Sequence, residues 1–164
     1  MTTEENKIEE TKTEEAAVLS LQKVYLKDVS FENPNAPEVF TEASGQPRVE
    51  MNLALNSLPL NDEQWEVALK VNVVTRDQES EKVMFEIEVE QAGIFFIKNI
   101  PEEHMTQVLA VNCPSIIFPY TRQIMSQLTV DGGFMPFLME PVNFQSLLER
   151  SLEEASEAEG QTIQ

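Results

Sequence analysis

The chain has 164 residues, with 29 Asp and Glu against 11 Lys and Arg, a single His and a single Cys. That length fits one ordinary domain and tells against a two-domain enzyme with separate cofactor and substrate halves. A formal charge of −18 tells against nucleic acid and anionic membranes, since phosphate binding draws on clustered Lys and Arg, and favours basic partners. One cysteine permits no intramolecular disulfide, no CxxC pair and no thiolate zinc cage. With no apolar leader segment at its start, the sequence predicts a cytoplasmic protein without direct membrane insertion.

Charge is unevenly spread. Residues 1–17 and 149–164 each carry a net −4, which leaves −10 for the body of the chain. Both ends are poor in large apolar residues and cannot offset the entropy of ordering. The expected organisation is an acidic disordered tail over 1–17, one domain over 18–155, and a second acidic disordered tail over 156–164.

A first strand, with Leu19, Leu21 and Tyr25 on one parity and Val24 and Leu26 on the other, predicts a bulge or burial on both faces. The segment 31–47 holds Pro34, Pro37, Gly45 and Pro47, which suits an ordered crossover rather than a hairpin. Three strands with strict alternation follow. Val49, Met51, Leu53 and Leu55 mark the first; Trp65, Val67, Leu69, Val71 and Val73 the second; Val83, Phe85, Ile87 and Val89 the third. Short polar links at 61–64 and 76–81 make these an antiparallel meander.

The second half reads as helical. His104 to Thr121 carries no formal charge, yet Gln107, Asn112, Pro114, Ser115 and Pro119 break it up too much for an isolated membrane span. Pro114 suits the first turn of a renewed helix, Pro119 should bend it, and Asp131-Gly132-Gly133 should stop it. Asn143 is a good N-cap for a last helix with Phe144, Leu147, Leu148 and Leu152 in one stripe. Strands followed by helices indicate an α+β fold: a four-stranded antiparallel sheet with two C-terminal helices packed on one face.

One face of that sheet is oily. The other carries Glu50, Glu66, Glu86, Glu88 and Glu90, relieved only by Lys70, and is either a solvated surface or a docking surface for a basic partner. Phe31, Phe40, Phe134, Phe137 and Phe144, with Met135 and Met139 nearby, lie in or beside loops. They fill the core or a subunit interface, or line an adaptable groove. The oversupply of apolar residues predicts an oligomer.

No GxGxxG, Walker, HExxH or GxSxG motif is present. His104 has no second His with which to share a metal, and Cys113 has no base or cation to activate it. No group converges on a nucleophile or general base. The expectation is a protein that is not an enzyme, with no catalytic residue, metal or cofactor.

Four motifs then stand in order along the chain: Tyr25-Leu-Lys-Asp28-Val-Ser-Phe31-Glu32-Asn-Pro34-Asn-Ala-Pro37, Gln91-Ala-Gly93-Ile-Phe95, Cys113-Pro-Ser-Ile-Ile-Phe118-Pro119-Tyr120-Thr-Arg122, and Pro141-Val-Asn-Phe144. Together, from about Val18 to Leu148, they resemble the SecB family of protein-export chaperones. The resemblance implies an ATP-independent holdase of the bacterial cytosol that keeps exported precursors unfolded and delivers them to the SecA translocation motor. It also implies a homotetramer assembled as a dimer of dimers. Carried over by position, unfolded clients would lie on Phe31, Phe40, Val49, Met51, Leu53, Phe144 and Leu148. SecA would contact Asp28, Glu32, Glu86 and Glu88. The sequence departs from the family at Gly45-Gln46, where an aromatic is often found, at Met51, where Leu is usual, and at Glu86, where a hydrophobe can occur. An acidic oligomeric adaptor that scaffolds folded partners is the alternative.

Overall fold

The computed structural model of the chain describes residues 14–42 and 45–161. Four strands form one antiparallel sheet: β1 (Val18–Glu32), β2 (Pro47–Pro59), β3 (Gln64–Asp77) and β4 (Val83–Lys98), in spatial order β1-β4-β3-β2. The meander β2-β3-β4 follows from its two short polar links. β1 reaches the far edge through a crossover that contains a single helical turn, α1 (Glu38–Thr41).

Register makes the two faces explicit. Across the oily face, Val29, Val89, Val71 and Leu53 form one row, and Phe31, Ile87, Val73 and Met51 the next. The inner members Val67, Leu69, Val71, Val73, Ile87 and Val89 are fully buried, and Phe95 is the largest side chain among the sealed residues. β1 is irregular as its mixed parity requires, with register shifts after Leu21 and after Leu26. Each shift adds one residue and re-aims the side chains beyond it.

Helices cover this face. α2 (Glu102–Gln107) continues through a five-residue π-turn (Val108–Asn112) into α3 (Cys113–Asp131). Pro114 has no N–H for the carbonyl four residues back, which suits a widened turn just before it. Pro119 lies inside α3. Cys113, Ile117, Phe118 and Met125 turn toward the sheet and join its core. α4 (Phe144–Gln161) opens on Asn143, whose Oδ1 accepts the Ser146 N–H at 3.0 Å.

The tail expectations are corrected in part. α4 runs on to Gln161, so residues 156–161 of the segment expected to be disordered are helical, with every residue from Ser151 to Gly160 exposed, while 162–164 lie outside the described residues. Glu and Ala are good helix formers and favour extension of the helix into this exposed segment. At the other end, Glu14–Ala17 are exposed and outside regular structure; the remainder of that expectation, 1–13, lies outside the described residues.

Relief of the polar face is also wider than Lys70. Ala92 and Ala68 are buried side by side, and their small size leaves a trough. Across it the Tyr25 hydroxyl and the Lys27 ammonium both donate to Glu66, the ammonium at 2.8 Å. Glu66 is only 12% exposed. Its carboxyl is held below the usual range, chiefly by the Lys27 hydrogen bond and then by that of Tyr25. Tyr25 is pushed up to about 12, first by burial and then by its bond to Glu66.

The clasp therefore adds stability across neutral pH and loses it at both ends. A carboxylate whose folded pKa is lowered contributes fully above its unfolded value of about 4.3, and the contribution disappears as pH falls through the folded value. A tyrosine with a raised pKa contributes fully below about 10 and loses that contribution as pH rises toward about 12. Glu66→Gln is expected to cost about 1 kcal/mol at neutral pH and to flatten the acid limb of the stability profile. Urea midpoints taken from neutral pH down through the carboxylate range check both.

Candidate functional site

The oily face is not covered evenly. β2 pairs with β3, so among the described residues its outer backbone edge has no strand partner, and along β2 only Leu53 is even half-buried. Beside this strand lie two grooves. The first encloses about 1080 Å³ of open space between α1, the start of β2 and the loop after α3, and is lined by Val39, Phe40, Pro47, Val49, Phe85, Phe134, Met135 and Phe137. The second, about 1000 Å³, lies between β2 and α4 and is lined by Met51, Leu53, Leu55, Phe144, Leu147, Arg150 and Glu154. Val49 and Met51 are neighbours on one face, about 7 Å apart along the strand, so the two grooves lie in line along β2.

An aromatic stack builds the first groove. Phe40 packs on Phe134 at 5.1 Å between ring centroids, and Phe134 on Phe85 at 4.9 Å. The crossover is held in place by Asn35, which donates to the Val83 carbonyl at 2.8 Å, and by the Lys82–Glu42 ion pair at 3.3 Å. Two glycines let the α3–α4 loop approach. A Cβ on Gly132 would stand 2.1 Å from the Phe31 ring, and Gly133 adopts a φ of 89° against Phe40. Met135 at the lip is 88% exposed, a flexible thioether with no packing of its own.

The structure places the expected groove residues unequally. Phe40 and Val49 line the first groove, and Met51, Leu53 and Phe144 the second. Phe31 stands behind, half-buried and stacked on Phe85 at 6.2 Å. Leu148 is half-buried but does not line the groove; Leu147, one position earlier on α4, does. Phe85, Pro47 and Val39 were not singled out from the sequence as groove residues. Phe85 reads there as an ordinary core position, and only the loop beside it makes it a wall. Met139 is buried in the core rather than at the groove.

The opposite face gathers the carboxylates. Strand pairing sets Asp28 against Glu90, Ser30 against Glu88 and Glu32 against Glu86, so all four expected SecA-contact residues share one surface. Arg48 pairs with Glu81 at 2.9 Å and Glu50 at 3.4 Å at its border. Among the described residues no group of three His, Cys, Asp or Glu is placed to hold a metal ion. His104 is exposed beside Glu103, and burial pushes the Cys113 thiol up to about 12. None of the described helices is long and apolar enough to cross a membrane.

Thr129 fixes the groove loop to α3. Its buried hydroxyl donates to the Ser126 carbonyl at 2.8 Å and accepts the Phe137 N–H at 2.9 Å. Thr129→Val keeps the shape and removes the acceptor. It is expected to cost about 1–3 kcal/mol and to speed amide exchange at Phe137, read by a urea midpoint and residue-resolved hydrogen exchange.

Known proteins resemble this chain in sequence and fold. A family model described as preprotein translocase subunit SecB matches residues 12–155. The protein-export protein SecB of Desulfotalea psychrophila is 50% identical over 137 residues, covering 84% of this chain and 88% of the relative. That of Magnetococcus marinus is 40% identical over 147 residues, covering 90% and 92%. Among solved structures, the Rv1957 SecB-like chaperone of Mycobacterium tuberculosis, in complex with a ChAD peptide from the HigA1 antitoxin, superposes with a TM-score of 0.59 at 18% identity. It covers 76% of this chain and 91% of that one.

Proposed function

The chain belongs to the SecB family of preprotein translocase subunits, and from that membership we propose that it is an ATP-independent holdase: it keeps exported precursors unfolded in the cytosol and hands them to SecA. One observation carries the reading. Two grooves with apolar walls lie in line along β2, a strand whose outer edge has no strand partner among the described residues.

Such grooves suit an extended, unfolded client. Each apolar side chain taken from water contributes about 1.5–3 kcal/mol, offset by about 0.5–1.5 kcal/mol for each side chain ordered. An unpaired strand edge adds main-chain hydrogen bonds that depend little on sequence. Many weak contacts then hold diverse segments without demanding one motif. The M. tuberculosis SecB-like chaperone is in complex with a peptide, which supports a peptide as the occupant here. The client-binding set is Phe40, Val49, Met51, Leu53 and Phe144, with Phe31 behind the aromatic wall and Leu148 beside Leu147.

A homotetramer, as a dimer of dimers, is part of the proposal. Leu26 and Val29 of β1, and Ile116, Tyr120 and Val130 of α3, are exposed in the single chain, and a second copy would cover them. Four copies multiply the grooves offered to one client and raise avidity without tight individual contacts. The acidic face, with Asp28, Glu32, Glu86 and Glu88, is the proposed SecA-docking surface.

Met51→Arg combined with Leu53→Arg is expected to weaken binding of an unfolded polypeptide by tenfold or more, equivalent to at least about 1.4 kcal/mol, with the native mass of the oligomer unchanged. Unaltered affinity would place the client elsewhere. Glu86→Lys combined with Glu88→Lys is expected to weaken SecA binding and leave client binding intact, as read by titration with each partner. A purified protein that fails to delay refolding of a slow-folding polypeptide would instead favour an adaptor for folded partners.

A further inference from the structure

The carboxylates of the docking face are not equally available. Across the sheet, Asp28 of β1, Glu90 of β4, Lys70 of β3 and Ala54 of β2 form one row. Asp28 and Glu90 are like charges directly opposed, an arrangement that costs stability unless a cation lies near. Lys70 is that cation. Ala54 on its other side offers it no partner, and its ammonium turns to Glu88 in the adjacent row, with Nζ 3.1 Å from Oε1. The proton on Lys70 is held more firmly than usual, first by its hydrogen bond to Glu88 and further by the charges of Glu90 and Asp28. One ammonium at the centre of the face thus serves three carboxylates from two strands.

Lys70 is half-exposed, at 47%, so the pair is open to solvent and to a partner. A basic side chain approaching this surface meets Glu88 already occupied. We propose that Lys70 is an internal counter-ion of the docking face: its ammonium holds the place at Glu88 that a basic group of the partner would take, and so keeps the partner's affinity below what the surrounding carboxylates would give. This has two effects. It stabilises the free protein against repulsion among Asp28, Glu88 and Glu90, and it keeps the docked complex easy to dissolve, as a carrier that must release its partner requires. The inference rests on the reading of the acidic face as the SecA-docking surface.

The test is a titration of SecA with the full chain and four variants, at low ionic strength and again at about 1 M salt. Lys70→Gln is expected to bind SecA about two- to fivefold more tightly at low salt, the range an exposed ion pair supports. That gain should vanish at high salt. Lys70→Arg, which keeps the charge, is expected to match the unaltered chain. Lys98→Gln makes the same change in net charge at the far end of β4, where Lys98 pairs with Glu63. It lies ten residues from Glu88, about 33 Å along the strand and about three Debye lengths away at about 0.1 M salt, the lower ionic strength used, and is expected to change nothing. Glu88→Lys is expected to weaken binding. Equal or weaker binding by Lys70→Gln, alongside a weakened Glu88→Lys, would overturn the counter-ion role and leave the docking surface standing. Equal tightening by Lys98→Gln would reduce the effect to net charge and overturn it too. If Glu88→Lys binds SecA normally, the docking surface itself fails, and the role of Lys70 with it.

Discussion

The structure depends on a mismatch of widths. Strands lie about 4.8 Å apart, so the outer two of four stand roughly 14 Å from each other. One helix with its side chains is about 10 Å across. α3 lies over β4 and β3, and there its cover is complete: Val67 through Val73 and Ile87 through Val89 lose all solvent contact on their oily faces. Neither outer strand can be sealed by the same helix. Leu26 and Val29 on β1, and Val49, Met51 and Leu55 on β2, remain open although each lies on the oily face whose inner strands are buried.

The two open margins differ in what borders them. On one side, Leu26 and Val29 of β1 are exposed, and α3 also exposes Ile116, Tyr120 and Val130, residues that a second copy would cover. Beside β2 are grooves bounded by separate pieces: the crossover, the α3–α4 loop and the first turns of α4. Those pieces are attached by Asn35 to the Val83 carbonyl, by the Lys82–Glu42 pair, by the Thr129 hydroxyl and by the Phe40–Phe134–Phe85 stack. A regular sheet edge flanked by walls of aromatic and Met side chains suits occupants that differ in sequence, since such side chains contact many apolar groups. Charge separates the tasks further, because the carboxylates lie on the reverse of the sheet.

Much of this was legible beforehand. Strict alternation in β2, β3 and β4 fixed both faces, since a slip of one residue would reverse every side chain. The mixed parity of β1 announced its bulges, and Asn143 and Gly133 marked helix boundaries through capping and a left-handed φ. What escaped depends on contacts that periodicity does not encode. Lys27 follows a register shift, so its side of the sheet could not be read from odd and even numbering, and with it the clasp on Glu66 was missed. Leu147 and Leu148 belong to the same apolar stripe, and only the position of α4 against β2 decides which one meets the groove. Phe85 alternates like any core residue and becomes a wall because the sheet ends beside a loop. The helical end of α4 was missed because its sequence holds no large apolar residue, yet local propensity carries the helix onward.

The π-turn over Val108–Asn112 has a further consequence. A widened turn accommodates one more residue than an α-helical turn, and each residue advances a helix by about 100°. The insertion acts as a phase corrector: Met105 before it and Ile117 and Met125 after it all address the same sheet, although an unbroken 3.6-residue spiral would carry them out of step. Length in this stretch is therefore quantised. The crossover and the α3–α4 loop can absorb an added or lost residue as slack, but the same change at 108–112 would rotate everything downstream and present α3 to the sheet by its wrong side.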